Sequence, residues 1–183
     1  ILAHYYVDEE VQKIADYIGD SFYLAKVASQ TEADRIVFAG VEFMGESAKI
    51  LNPNKKVLMP DAFADCPMAH MITIKEIKEM REKYDDLAVV CYINSTAEIK
   101  QYADVCVTSS NAIKIVKALP QKNIFFIPDQ NLGDFVRRQV PEKNVMTNYG
   151  HCPRHTNITL DKLNEVKQKY PEAKIAVHLS LIH

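Results

Sequence analysis

No stretch of this chain approaches the ~20 consecutive apolar residues that a membrane-spanning helix needs. Nothing near residue 1 reads as a secretion signal, although the chain opens inside an expected strand. Charge of one sign is also missing. A formal net charge of −2 offers no attraction for nucleic acid or for an anionic bilayer. The four cysteines, Cys66, Cys91, Cys106 and Cys152, do not come in the close pairs that usually mark zinc sites. These absences point to a soluble cytoplasmic protein whose cysteines are thiols or ligands, not disulfides. What remains is ordinary: 48% hydrophobic and 25% charged residues suit a globular core and its surface.

The chain does contain itself twice. Shifting the numbering by 88 carries Leu2-Ala3-His4 onto Val90-Cys91-Tyr92, Ala15-Asp16 onto Ala103-Asp104 and Ser21 onto Ser109. The same shift carries Ile36-Val37-Phe38 onto Ile124-Phe125-Phe126 and Gly45-Glu46 onto Gly133-Asp134. After a two-residue deletion, a shift of 86 carries Cys66-Pro67 onto Cys152-Pro153 and Tyr92 onto His178. Two units are therefore expected, residues 1–87 and 88–173, with 174–178 as the first strand of a third unit that runs to 183.

Each unit alternates strand and helix. Strands are expected at 1–4, 35–39 and 56–59 and helices at 8–17, 21–29, 44–51 and 74–83. The second unit repeats the order with strands at 88–94, 123–127 and 144–146 and helices near 98–102, 112–118, 132–139 and 160–169. Such alternation implies the α/β class: repeated three-layer αβα sandwich domains built on parallel sheets. Ligands of these sheets bind beyond the carboxyl ends of the strands. His4, Tyr92 and His178 fall there, followed by Ser21 and Ser109 and by the loops carrying Cys66 and Cys152. Each serine has an alternative use as a helix cap. Cys91 and Cys106 lie in apolar runs and are expected to be buried, inert thiols.

Cys66 and Cys152 alone are too few for a tetrahedral zinc site. His70, His151 and His155 lie nearby in sequence, but single cysteines 86 residues apart do not have zinc-site spacing. One cysteine per repeat suggests another arrangement, with three thiolates about a pseudo-threefold axis around an iron–sulfur cubane. One iron would then be left open as a Lewis acid.

Several stretches resemble the quinolinate synthase (quinolinate synthetase A) family: Ile1-Leu-Ala-His-Tyr-Tyr6, Ile14-Ala-Asp-Tyr-Ile-Gly-Asp-Ser21 and Phe38-Ala-Gly-Val-Glu-Phe-Met44. So do Ala48-Lys-Ile-Leu-Asn-Pro53, Tyr92-Ile-Asn-Ser-Thr96, Thr108-Ser-Ser-Asn-Ala112, Pro128-Asp-Gln-Asn-Leu-Gly133 and Gly150-His-Cys152. The resemblance implies three α/β repeats related by pseudo-threefold symmetry around a 4Fe–4S cluster. It implies a transferase of NAD biosynthesis that condenses iminoaspartate with dihydroxyacetone phosphate to quinolinate, losing phosphate and water. A functional link to L-aspartate oxidase comes with it. On this resemblance Cys66 and Cys152 are two of three cluster ligands. His4, Ser21, Tyr92, Asn94, Ser109 and His178 bind substrate, and Tyr6, His4 and His178 serve the proton transfers.

Two departures stand out. The family pattern Asn-Tyr-Gln after the first histidine is Tyr5-Tyr6-Val7 here, and Pro-Glu-Cys after the last is Leu179-Ser180-Leu181. The chain therefore reads as two-thirds of a triplicated protein and is expected to be inactive by itself. The other reading is a non-catalytic two-domain α/β module that binds a small dicarboxylate or phosphate without a cluster.

Overall fold

The computed structural model describes residues 1–177. The first half runs β1 (Leu2–His4), α1 (Glu9–Lys13), β2 (Tyr17–Gly19), α2 (Ser21–Gln30), β3 (Arg35–Ala39), α3 (Glu42–Leu51) and β4 (Lys56–Leu58). A 3-10 turn at Pro67–His70 and α4 (Ile74–Lys83) lead into the second half. There follow β5 (Leu87–Tyr92), α5 (Ala97–Lys100), β6 (Val105–Val107), α6 (Ala112–Ala118), β7 (Asn123–Ile127), α7 (Gln130–Gln139) and β8 (Asn144–Thr147). Helices α8 (Pro153–Thr156) and α9 (Leu160–Lys169) come last. The strands form two all-parallel sheets of identical order, β2-β1-β3-β4 and β6-β5-β7-β8, flanked by helices as the alternation predicts.

The repetition extends to single hydrogen bonds. Asp16 turns the chain back beside β1, its amide donating to the Ile1 carbonyl at 3.0 Å and its carboxylate taking the Ile1 amine. Asp104 does the same for β5: its amide donates to Val89 O at 2.9 Å, and its Oδ2 accepts from Val89 N at 2.7 Å. Lys55 reaches the carbonyls of Ala28 and Thr31 at the end of α2, and Lys143 reaches Leu119 and Gln121 at the end of α6. An ammonium there satisfies carbonyls that a helix end leaves unpaired.

The Asp16 anchor also corrects the sequence reading. The first helix stops at Lys13, not Tyr17, because the chain must return to Ile1, and Tyr17–Gly19 then pair with Leu2–His4 as an edge strand. Its counterpart β6 is likewise unexpected from the sequence, since three residues are too few to show alternation. Lys174–Val177 adopt no strand, having no neighbour to pair with among the described residues. His178 lies outside them. Cys91 is buried as expected, but Cys106 sits on the edge strand and is exposed.

Strand β5 is buried along all six residues, consistent with cover on both faces. Ala88, Val90 and Tyr92 pack with α6 and α7 through Val116, Leu132 and Val136. Leu87, Val89 and Cys91 pack with Ile77 and Ile99 of α4 and α5. The first sheet builds its own core from Leu2, Ile36, Phe38, Leu24 and Phe43. The halves meet where α3 faces α5. Glu46 accepts from the Ala97 amide at 2.7 Å, and Lys100 donates to Ser47 Oγ at 2.8 Å and to Phe43 O at 3.3 Å.

Gly45 and Gly133 occupy equivalent helical positions where helix presses on strand. A Cβ would meet Met59 at the first and Thr147 and Phe126 at the second. Gly133→Ala is expected to lose ~1–3 kcal/mol to overpacking against these stiff side chains, outweighing the ~0.5–1 kcal/mol gained in helix propensity. Gly45→Ala should cost less, because the Met59 thioether can swing aside. Urea unfolding of both variants gives the ranking; equal midpoints would contradict this packing account.

Candidate functional site

A cavity of about 1090 Å³ opens at the carboxyl ends of both sheets, between the two halves. Its walls are built by repetition. The β1 and β5 ends present His4 and Tyr92, the turns after β2 and β6 present Ser21 and Ser109, and the loops after β4 and β8 present Cys66 and Cys152. Tyr6 and Asn94 complete the set, so every site residue named from the sequence except the undescribed His178 lines this one space. Neither serine caps a helix with its side chain. Asp20 caps α2 by accepting from Tyr23 N at 2.7 Å, which leaves the Ser21 hydroxyl to the cavity. Ser109 sits in the turn that Asn111 closes by accepting from Thr108 N at 2.7 Å.

The two cysteines share one local design. Each immediately precedes a proline that starts a short helix, and each carbonyl accepts from the amide three residues on, at 2.9 Å for Cys66 and 3.0 Å for Cys152. Burial pushes the Cys66 thiol up, the amides of Met68 and Ala69 oppose this, and the nearby Cys152 and Asp65 add to the rise. The loops are joined through Met71, whose carbonyl accepts from Asn148 Nδ2 at 2.7 Å and whose sulfur lies 3.4 Å from the His151 amide. Gly150 permits this closeness, since a Cβ there would strike the Pro128 carbonyl.

Each repeat thus presents one thiol to the same cavity from an equivalent Cys-Pro turn. Among the described residues no group of three or more His, Cys, Asp or Glu side chains gathers as a metal site. His70 turns to Asp65 instead, at 2.7 Å.

His4 is only 8% exposed, and its Nδ1 accepts from the Tyr6 amide at 3.3 Å. A neutral ring that accepts at Nδ1 carries its proton on Nε2. Burial lowers its pKa, and the Asp20 charge only partly offsets that. The Tyr6 ring meets His4 edge-on at 4.6 Å while remaining 83% exposed. Burial holds the Tyr92 hydroxyl protonated well past neutrality, reinforced by the charge of Asp129. Sequence reasoning does not single out Asp129. It caps α7 through Asn131 N and Leu132 N and also lines the cavity. Its motif, Pro128 to Gly133, is the available signal, but a capping aspartate looks structural in a sequence.

The site is thus a cysteine-bearing cavity, largely apolar with several polar side chains, shared between tandem parallel α/β units. The sequence profile described as quinolinate synthetase A protein matches residues 1–180. Over 178 residues the chain is 64% identical to a quinolinate synthase of Fusobacterium nucleatum, covering 97% of this chain and 60% of that protein. Relatives of the same name from Aquifex aeolicus and a Sulfurihydrogenibium species are 56% and 54% identical, with 55% and 58% of their lengths covered. The chain belongs to the quinolinate synthetase A family, and it spans less than two-thirds of these relatives. Among the described residues no helix is long and apolar enough to cross a membrane.

The His4 shift has a consequence for stability. Below the ordinary histidine value of 6.5 the unfolded chain takes up a proton that folded His4 resists, so stability falls on acidification and is unaffected above it. His4→Gln is expected to flatten part of the decline in melting temperature between neutral and mildly acidic pH. Parallel declines in variant and parent would show that His4 does not contribute.

Proposed function

We propose that this chain forms two of the three repeats of a quinolinate synthase, which condenses iminoaspartate with dihydroxyacetone phosphate to quinolinate in NAD biosynthesis. The observation that carries the reading is the convergence of His4, Tyr6, Ser21, Cys66, Tyr92, Asn94, Ser109 and Cys152 on one cavity. Cys66 and Cys152 would hold a 4Fe–4S cluster together with a thiolate from a third repeat. When bound, such a cluster supplies a Lewis-acidic iron that polarises a substrate oxygen or nitrogen.

The chain's own groups have complementary work. Ser21, Ser109 and Asn94 offer neutral donors to carboxylate and phosphate oxygens. His4 presents an Nε2–H without a positive charge, and Tyr92 presents a hydroxyl that burial keeps protonated. Tyr6, exposed beside His4, is placed to move protons at the cavity mouth. Iminoaspartate would come from an L-aspartate oxidase, and the setting would be the cytoplasm.

Helix α9 supports a third repeat. A shift of 86 carries α4 onto α9, with Ile74, Ile77, Met80 and Tyr84 matching Leu160, Leu163, Val166 and Tyr170. In α4 this face packs on the core beneath β5, with Ile77 fully buried. No residue of α9 is buried, so the same face is uncovered among the described residues.

The test is anaerobic reconstitution with iron and sulfide of this chain joined to the remaining part of the Fusobacterium nucleatum protein. A brown protein that forms quinolinate is expected, with colour lost in Cys66→Ser or Cys152→Ser. Tyr6→Phe should keep the colour and lower turnover by ~10²–10⁴-fold, the usual worth of a positioned proton-transfer group. A colourless protein that still binds a dicarboxylate would instead favour a non-catalytic binding module.

A further inference from the structure

Cys91 and Cys106 stand directly opposite each other on the adjacent strands β5 and β6. Laterally paired residues point to the same sheet face, and neighbouring strands lie ~4.8 Å apart. That spacing falls within the ~4.4–6.8 Å Cα separation a disulfide accepts. The two thiols are close enough to influence each other electrostatically, while the Cys91 thiol donates to the Tyr92 carbonyl at 3.5 Å. Their surroundings differ sharply. Cys91 is sealed in the core at 0% exposure, whereas Cys106 is exposed on the edge strand.

The electrostatics divide the pair in the same sense. The neighbouring Cys106 thiol, together with burial, holds the Cys91 thiol protonated. The adjacent Cys91 draws the Cys106 thiol below its ordinary value against the opposing effect of burial, and the Lys100 ammonium assists. Lys100 is fixed in place by Ser47 and the Phe43 carbonyl. The architecture does not require any of this. The identical register in the first repeat sets Ala3 opposite Ile18, and the residue matching Lys100 is Gln12.

We propose that Cys91 and Cys106 form a thiol–disulfide site that reacts with low-molecular-weight disulfides of the glutathione class. The Cys106 thiolate attacks one sulfur of the reagent, forming a mixed disulfide and releasing one thiolate. Cys91 then gives up its proton and attacks the Cys106 sulfur, expelling the second thiolate. The protein loses two electrons and two protons, and the reagent disulfide is reduced to two thiols. The new bond ties β5 to its edge strand one residue before Tyr92, on the strand that delivers that side chain to the cavity. With its Cys106 end exposed on the edge strand, the link is open to reducing thiols.

The reduced chain is treated, natively folded, with oxidised glutathione, alkylated and mapped as peptides without reduction. The expected product is a Cys91–Cys106 linked peptide carrying no glutathione, which dithiothreitol restores to free thiols. Cys91→Ser should instead retain glutathione on Cys106. Three outcomes in the unaltered chain overturn the proposal: Cys106 left free, Cys106 holding a lasting glutathione adduct, or a link mapped elsewhere, such as Cys66 to Cys152. None of these readouts involves a cluster or quinolinate, so the result stands apart from the catalytic reading.

Discussion

The carbonyl of Met71 ties the two cysteine loops together. It lies just past the Cys66 turn at the end of the first half, and it accepts from Asn148 in the loop that leads to Cys152. The Met71 sulfur sits against the His151 amide, and Gly150 lets the same loop pass beside Pro128. A half-buried side-chain bond of this kind is worth only ~0.5–1.5 kcal/mol net, yet leaving its acceptor unpaired costs more. What it fixes is position. Two thiols 86 residues apart in sequence line one cavity, and this contact sets the loop of one upon the loop of the other.

Parallel pairing and helical cover follow from the alternation of elements and from the internal repeat, both of which are legible in the residues themselves. Several elements, such as α4, α6, β7 and α9, fall on their expected residues. The repeat also indicates which loops face one another, and that brings the candidate residues to one cavity. The family resemblance supplies roles for those residues that spacing alone does not.

The misses share one physical origin, which is that local patterns do not report tertiary pairing. Tyr17–Gly19 and Val105–Val107 are strands because aspartates pin the chain beside β1 and β5, and nothing in three residues announces that. Cys106 lies in an apolar triplet that reads as interior, but β6 is an edge strand and one of its faces stays open. Residues 174–177 have a strand's composition without a partner among the described residues, and a parallel strand exists only by pairing. Asp129 reads as a cap, and it is a cap that also faces the cavity.

Because each half contributes only one wall, neither encloses the cavity alone, and its shape depends on the angle between the halves. The Glu46–Ala97 and Lys100–Ser47 bonds between α3 and α5 govern that angle. Occupancy and interface are then thermodynamically linked. A ligand that spans Ser21 and Ser109 and favours one angle between the halves would shift that helix contact and be shifted by it by the same free energy. That contact reaches the cavity itself, because Lys100 holds the carbonyl of Phe43, whose residue forms part of the lining.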